Sequence, residues 1–434
     1  MTPVCLSASI SLLPTVWGAI WFALYPICLV ILSALFTYAV TVESGAMEKI
    51  RSGLAAVSDD RRVLALLIVW GLGTFMEGMA GFGTAVAIPA AILVGIGFDP
   101  MKAVLMCLVA NTTPTAFGSV GVPILTLARE SGCEESSLFV VTALLELAVT
   151  AAGPFLVLLV ADGWRGLKGM WGYLLLADVA FLVPWLLAAK YIGCELPDIL
   201  GGISVMLAIG LVASRGRVSR NVGEQIAAWA PFGCVVVVLG AAAFLPPQAK
   251  KFAPVGGLII IAALCGGKMQ GLGLLRMLKL LFATVVKYRK AFITIVSVMV
   301  VARLLEHVGA IGLLAEGLVA LTGKAYPFFS TAVGALGGAI TGSGTNSSVL
   351  FGKLQANAAA AIGASPTLLA AANMMGAGIG KMICPQSVAI GVAAAALGDG
   401  GAKKVVRRML PYFAAVLAAA CLVTGLASIL FASA

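Results

Sequence analysis

Four short runs in this sequence set glycine or proline beside hydroxyl, amide or acidic side chains within otherwise apolar stretches. They are Glu77-Gly78-Met79-Ala80-Gly81-Phe82-Gly83-Thr84, Asn111-Thr112-Thr113-Pro114, Thr341-Gly342-Ser343-Gly344-Thr345-Asn346-Ser347-Ser348 and Asn373-Met374-Met375-Gly376-Ala377-Gly378. Glycine permits left-handed turns and close backbone approach, and Pro114 removes a helix hydrogen bond. A helix broken at such a run exposes free N–H groups and a partial positive charge where the next half-helix begins. With neutral Ser, Thr and Asn groups alongside, that chemistry suits a small carboxylate or hydroxy-carboxylate better than a cation or a sugar. The candidate binding residues are therefore Gly81, Gly83, Thr84, Asn111, Thr112, Thr113, Ser343, Thr345, Asn346, Ser347 and Asn373. The competing reading is that these glycines merely let helices pack closely.

Ionisable residues in apolar surroundings are rare and usually functional. Glu77 heads the first run, and Lys381 follows the last. Lys381 suits pairing with a substrate carboxylate or a coupling acid, or else it snorkels to the interface. Glu77, Lys381, Glu146 and Asp178 are the candidates for proton coupling. Arg303 and Glu306 stand three apart, so on a helix they share a face and neutralise one another. Beside them His307, the one histidine, marks a helix end.

The elements that hold these residues must be membrane helices. Apolar residues make up 61% of the 434 positions and charged residues 11%, where a soluble domain carries about a quarter charged. A spanning helix needs about 20 apolar residues, and the apolar runs are too long for barrel strands. The expected fold is an all-α polytopic membrane protein of about 10–12 transmembrane helices, one domain over residues 1–434. The lipid bilayer is then a partner of the chain. The net charge of +10 fits basic cytoplasmic loops rather than nucleic acid. The stretch 268–290 reads as a basic interfacial helix, and the Trp and Tyr residues at 17, 21, 25, 171, 173 and 185 read as interface anchors. Nine scattered cysteines form no CxxC pair or metal-like spacing, so no metal or other cofactor is expected. Neither HExxH nor GxSxG is present, and the expectation is a transporter rather than an enzyme.

The chain also resembles itself. Gly81-Phe82-Gly83-Thr84 returns as Gly342-Ser343-Gly344-Thr345, 261 positions later. Asn111 lies 27 residues after Thr84 and Asn373 lies 28 after Thr345. Gly118 and Pro123 follow Asn111 by 7 and 12, as Gly380 and Pro385 follow Asn373. Two repeats are therefore expected, with cores at about 63–128 and 326–396 joined by helices at about 138–302. Loop 43–62 before the first core holds Lys49, Arg51, Arg61 and Arg62, and loop 399–408 after the second holds Lys403, Lys404, Arg407 and Arg408. Loop 214–224 adds Arg215, Arg217 and Arg220, whereas 129–137 and the loop around Lys324 are poor in basic residues. By the positive-inside rule the repeats are inverted, each carrying broken or re-entrant helices.

The runs EGMAGFGTAVAIPAAILVGIGFDP (77–100), ANTTPTAFGSVGVPIL (110–125), DGWRG (162–166), ELPDI (195–199) and GKMICPQSVAI (380–390) resemble the L-lactate permease family. The resemblance covers about residues 16–434. It implies a secondary active transporter of L-lactate, glycolate and similar 2-hydroxymonocarboxylates, driven by proton symport across a bacterial cytoplasmic membrane. Gly344 and Met374-Met375 stand where the family carries acidic or small polar groups. A sodium-coupled or exchange transporter of another small organic anion is the alternative, and the oligomeric state stays open.

Overall fold

The three-dimensional structure, a computed structural model, describes residues 3–214, 222–243 and 254–432. Arg215, Arg217 and Arg220 of the expected basic loop lie outside the described residues. All regular structure among the described residues is helical. Six helices are long and apolar enough to cross a membrane, or seven when Leu274–His307 and Ala310–Ala325, bent by 75°, count as one span. Shorter apolar helices fill the remaining depth. The chain is a multi-pass membrane protein.

Helix α1 (Arg61–Met79) enters the structure, and α2 (Thr84–Gly95) returns antiparallel to it. The Arg61 guanidinium lies over the Phe98 ring at 5.8 Å, so both ends of this hairpin emerge on one face. The hairpin turns at residues 80–83, where Ala80 and Gly81 are buried and Phe82 and Gly83 half-buried. Helix α3 (Pro100–Ala110) starts at that same face. Asp99 caps it by accepting a hydrogen bond from the Lys102 amide, and Pro100 occupies the first helical position. The chain breaks from Asn111 and continues as α4 (Gly118–Ser131).

The three helices α5 (Glu135–Asp162), α6 (Trp171–Tyr191) and α7 (Pro197–Ala213) pack behind these elements. The long α8 (Leu274–His307) follows, so the basic stretch at 268–290 runs into one continuous helix.

The second repeat has the same succession. Helices α9 (Pro327–Thr341) and α10 (Gly344–Ile362) form a hairpin. Tyr326 Oη and Ser330 Oγ both donate to Gln355 Oε1 at 2.9 Å, which ties its two ends together. Helix α11 (Pro366–Gly380) starts on a Ser365 cap with Pro366 in the first position, and α12 (Pro385–Ala394) follows a break at 381–384.

Packing fixes the relative direction. Gly352, near the base of the second hairpin, abuts Leu127 and Glu130 at the far end of α4. Gly391 of α12 abuts Val86 of α2 and Val104 of α3. Helix α4 thus runs from the tip of the second hairpin, where Gly344 meets Pro123, toward that hairpin's base, and α12 runs from the tip of the first hairpin, where Ile390 meets Gly83, along α2, so the repeats run in opposite senses. The inversion suggested by loop charge is present in the packing.

Two expectations need correction. The run Asn373–Gly378 is not an interruption, because α11 is continuous through it. Its glycines serve close packing: a Cβ on Gly376 would collide with the Thr331 carbonyl of α9, and one on Gly338 with Ala377. Trp185 is not an interface anchor, since it is fully buried.

Candidate functional site

The first hairpin turns on left-handed backbone. Gly81, Phe82 and Gly83 have φ of 60°, 50° and 85°, and α2 starts at Thr84. The Thr84 hydroxyl donates to the Gly81 carbonyl at 2.8 Å and closes the turn. A second left-handed turn faces the tip, with Ser119, Val120 and Gly121 at φ of 47°, 58° and 76°. Such a conformation is costly for Phe82, Ser119 and above all β-branched Val120. The two turns support one another: Ser119 Oγ donates to the Ala80 carbonyl at 3.4 Å, and Gly81 sits too close to Ser119 Oγ to carry a Cβ. Right-handed helix resumes after Gly121 with Pro123 in its first turn, matching Pro385 at the start of α12.

At the second tip Gly342 is left-handed at φ 66°, and extended Ser343 caps α10 by accepting from the Asn346 amide at 3.3 Å. Gly344 packs on the first repeat, where a Cβ would lie 2.8 Å from Thr115 Cγ2 and 3.2 Å from Pro123 Cβ. That contact leaves little room for any side chain at position 344.

These features surround a cavity of about 410 Å³. Its wall carries the starts of four half-helices: Gly83 before α2, Ser119 and Pro123 in α4, Ser343 to Asn346 in α10, and Gln386 and Ser387 in α12. Each presents the positive end of a helix. Helix α8 supplies the remaining wall through Lys287, Tyr288, Lys290 and Thr294. Four helix N-termini with Lys287, Lys290 and Lys381, against the single acid Glu77, make the cavity wall electropositive.

Glu77 and Lys381 meet across the repeats. Lys381 Nζ donates to Glu77 Oε1 at 2.6 Å, and the two residues are 6% and 4% exposed. Asn111 completes the group. With its amide oriented by these neighbours, Nδ2 donates to Glu77 Oε2 at 3.1 Å and Oδ1 accepts from Lys381 Nζ at 3.2 Å. The acid comes from the end of α1, the amide from the break after α3 and the base from the break after α11.

The sequence candidates divide accordingly. Glu77, Gly83, Ser343, Thr345, Asn346 and Lys381 line the cavity, and Asn111 holds the ion pair behind it. Gly81 and Thr84 shape the hairpin tip. Thr112 and Ser347 spend their hydroxyls on the carbonyls of Val109 (2.9 Å) and Gly334 (3.2 Å). Thr113 and Asn373 are buried away from the cavity, with polar atoms that have no partner among the described residues. Glu146 and Asp178 are also buried away from it, each with one carboxylate oxygen unpaired among the described residues.

Sequence reasoning missed Ser119, Thr115, Ser387, Gln386 and the α8 residues of the wall. It also passed over Asp198, fully buried with Oδ1 accepting from Trp185 Nε1 at 2.9 Å. The PQS and ELPDI runs were the available signals.

A family model described as L-lactate permease matches residues 8–250 and 247–431. The chain belongs to the L-lactate permease family. It is 37% identical over 381 residues to an L-lactate permease of Streptococcus iniae, covering 80% of each chain. It is 33% identical over 445 residues to the glycolate permease GlcA of Escherichia coli, covering 86% of this chain and 79% of that one. An L-lactate permease of Bacillus subtilis is 31% identical, with 95% and 86% covered. Among solved structures, the YdaH transporter of Alcanivorax borkumensis, described as having an unusual topology, superposes with a TM-score of 0.50. The match has 16% identity and covers 98% of this chain and 89% of that one, which supports the fold alone.

Proposed function

We propose that this permease is a secondary active transporter of small 2-hydroxymonocarboxylates, L-lactate and glycolate, driven by proton symport across a bacterial cytoplasmic membrane. The observation that carries this reading is the convergence of four half-helix N-termini and Lys381 on one cavity between inverted repeats. Backbone N–H groups and Ser343, Thr345 and Asn346 would hold the carboxylate and hydroxyl, and the lactate and glycolate permeases among its relatives supply the substrate class.

Charge balance gives the coupling. An uncompensated charge at membrane depth is costly. Empty, the site holds Glu77⁻ and Lys381⁺, a neutral pair. When a substrate carboxylate takes Lys381, Glu77 is left as a second anion beside it. A proton on Glu77 restores neutrality, so one proton enters with one monocarboxylate. Asn111 faces both partners and can follow either state.

Alternating access follows from the repeats. Arg303 of α8 donates to Glu130 of α4 at 2.9 Å and to Glu306 at 2.8 Å, and Lys353 of α10 approaches Glu306 at 4.0 Å. This cluster closes the seam between α8 and the α4–α10 pair, beyond the cavity from Lys287 and Lys290. With the basic loops inside, the sealed end is external and the cavity faces the cytoplasm.

Uptake of labelled L-lactate into cells, with glycolate, acetate and an unrelated anion as competitors, tests the substrate. Glycolate should compete strongly and acetate weakly. Asn111→Ala should abolish uptake at unchanged membrane abundance. Accumulation that follows a sodium gradient would favour the sodium-coupled alternative, and obligatory counterflow of a different anion would favour an exchanger.

A further inference from the structure

Glu77 needs a proton while the substrate occupies the cavity in front of it, and the structure places two further acids behind it. Asp198 in the first turn of α7 is fully buried. It lies against Gly78, the residue after Glu77: a Cβ on Gly78 would stand 2.8 Å from Asp198 Cβ. Its Oδ1 accepts from Trp185, whose ring packs edge-on against Phe117 at 5.4 Å. Asp198 thus backs the first interrupted segment directly and the second through Trp185. Its Oδ2 has no partner among the described residues, which leaves a carboxyl oxygen available for proton exchange.

Glu146 continues the line. Residues Thr142, Glu146 and Thr150 recur every fourth position of α5 and so share one face. Each is buried with an oxygen that has no partner among the described residues. Buried polar atoms are almost always satisfied, so a stripe of such oxygens is the place for a proton path. Glu146 lies within electrostatic reach of Asp198, and Asp198 within reach of Glu77 and Lys381. Asp178 of α6, two turns before Trp185, and Glu130 of α4 are further buried acids on elements packed against α5. Neither Asp198 nor Glu146 lines the cavity.

We infer that Glu146 and Asp198 form a proton relay to Glu77, so that proton and substrate reach the site from opposite sides. When Lys381 turns to the substrate carboxylate, the O–H bond of Asp198 breaks and one forms on Glu77. Asp198 is left ionised, facing the Trp185 N–H and the N-terminus of α7. Glu146 then returns a proton to Asp198 and is itself reprotonated from solvent. These are positioning and transfer residues that never touch substrate.

The inference rests on the proton-symport reading, and the experiment separates the two. Full-length wild-type, Asp198→Asn, Glu146→Gln and Ser343→Ala proteins are reconstituted in liposomes and assayed for lactate–lactate counterflow and for uptake driven by an inward proton gradient. Asp198→Asn and Glu146→Gln should keep counterflow within about twofold and lose gradient-driven accumulation at least tenfold, and Asp198→Glu should recover part of it. Ser343→Ala should weaken both activities together. Normal gradient-driven accumulation in Asp198→Asn, or equal loss of counterflow, would overturn the relay. Wild-type accumulation that ignores the proton gradient would overturn the symport reading itself.

Discussion

Lys381 Nζ lies 2.6 Å from Glu77 Oε1, and 304 positions of sequence separate the two residues. The bond joins the break of one repeat to the break of the other, so whatever loosens it also loosens the interface between the repeats. Removing one partner of a buried pair leaves an uncompensated charge and costs about 3–5 kcal/mol. Glu77→Gln and Lys381→Met should each lower thermal stability in detergent and abolish gradient-driven uptake. The double variant should regain most of the stability and none of the transport. Full transport by either single variant would remove the pair from the mechanism.

The tip of the first hairpin relies on left-handed backbone at Gly81, which is in contact with Ser119. An alanine there is strained and displaces the Ser119 hydroxyl. Gly81→Ala should destabilise by about 1–3 kcal/mol and reduce uptake. Adding Ser119→Gly, which removes the clash and suits the positive φ at that position, should restore part of both. Thermal unfolding and uptake of the three variants read this out.

The Arg303–Glu130–Glu306–Lys353 cluster is partly exposed apart from Glu130. The partly exposed Arg303–Glu306 and Lys353–Glu306 pairs contribute about 0–1 kcal/mol, whereas losing Arg303 strands the buried Glu130 carboxylate. Arg303→Glu should cut transport several-fold and lower the unfolding temperature. Combining it with Glu130→Arg should recover transport. A charge swap that rescues nothing would show that the seam is not held by this contact.

Lys287 and Lys290 are exposed residues of the cavity wall, which the proposed orientation turns toward the cytoplasm. Exposed charges of this kind raise the local concentration of an anion and are screened by salt. In inside-out vesicles, Lys287→Gln with Lys290→Gln should raise KM several-fold, leave the maximal rate nearly unchanged and flatten the salt dependence. An unchanged KM would reduce these residues to membrane anchors.

Much of this was legible in the sequence because it depends on local backbone chemistry. Gly81, Gly83 and Gly342 mark real turns, and the Pro123 and Pro385 spacing marks where half-helices resume. Loop charge revealed the inversion because it records where each end emerges. Asn373–Gly378 misled because glycine breaks a helix and lets one pack tightly with equal ease, and only the facing carbonyl of Thr331 decides between them. The Glu77–Lys381 bond and the place of Asp198 could not be read, since both depend on contacts between distant segments. Trp185 looked like an anchor because its burial is set by Asp198 and Phe117, neither adjacent in sequence.

The most direct test of the central claim is simultaneous measurement of lactate and proton flux in liposomes holding the purified permease. A lactate gradient imposed without a pH gradient should drive protons into the lumen, about one per lactate, reported by a trapped pH dye. Glu77→Gln should abolish the proton signal while lactate–lactate counterflow persists. Lactate entry with no proton movement in the wild type, or undiminished proton movement in Glu77→Gln, would contradict the account.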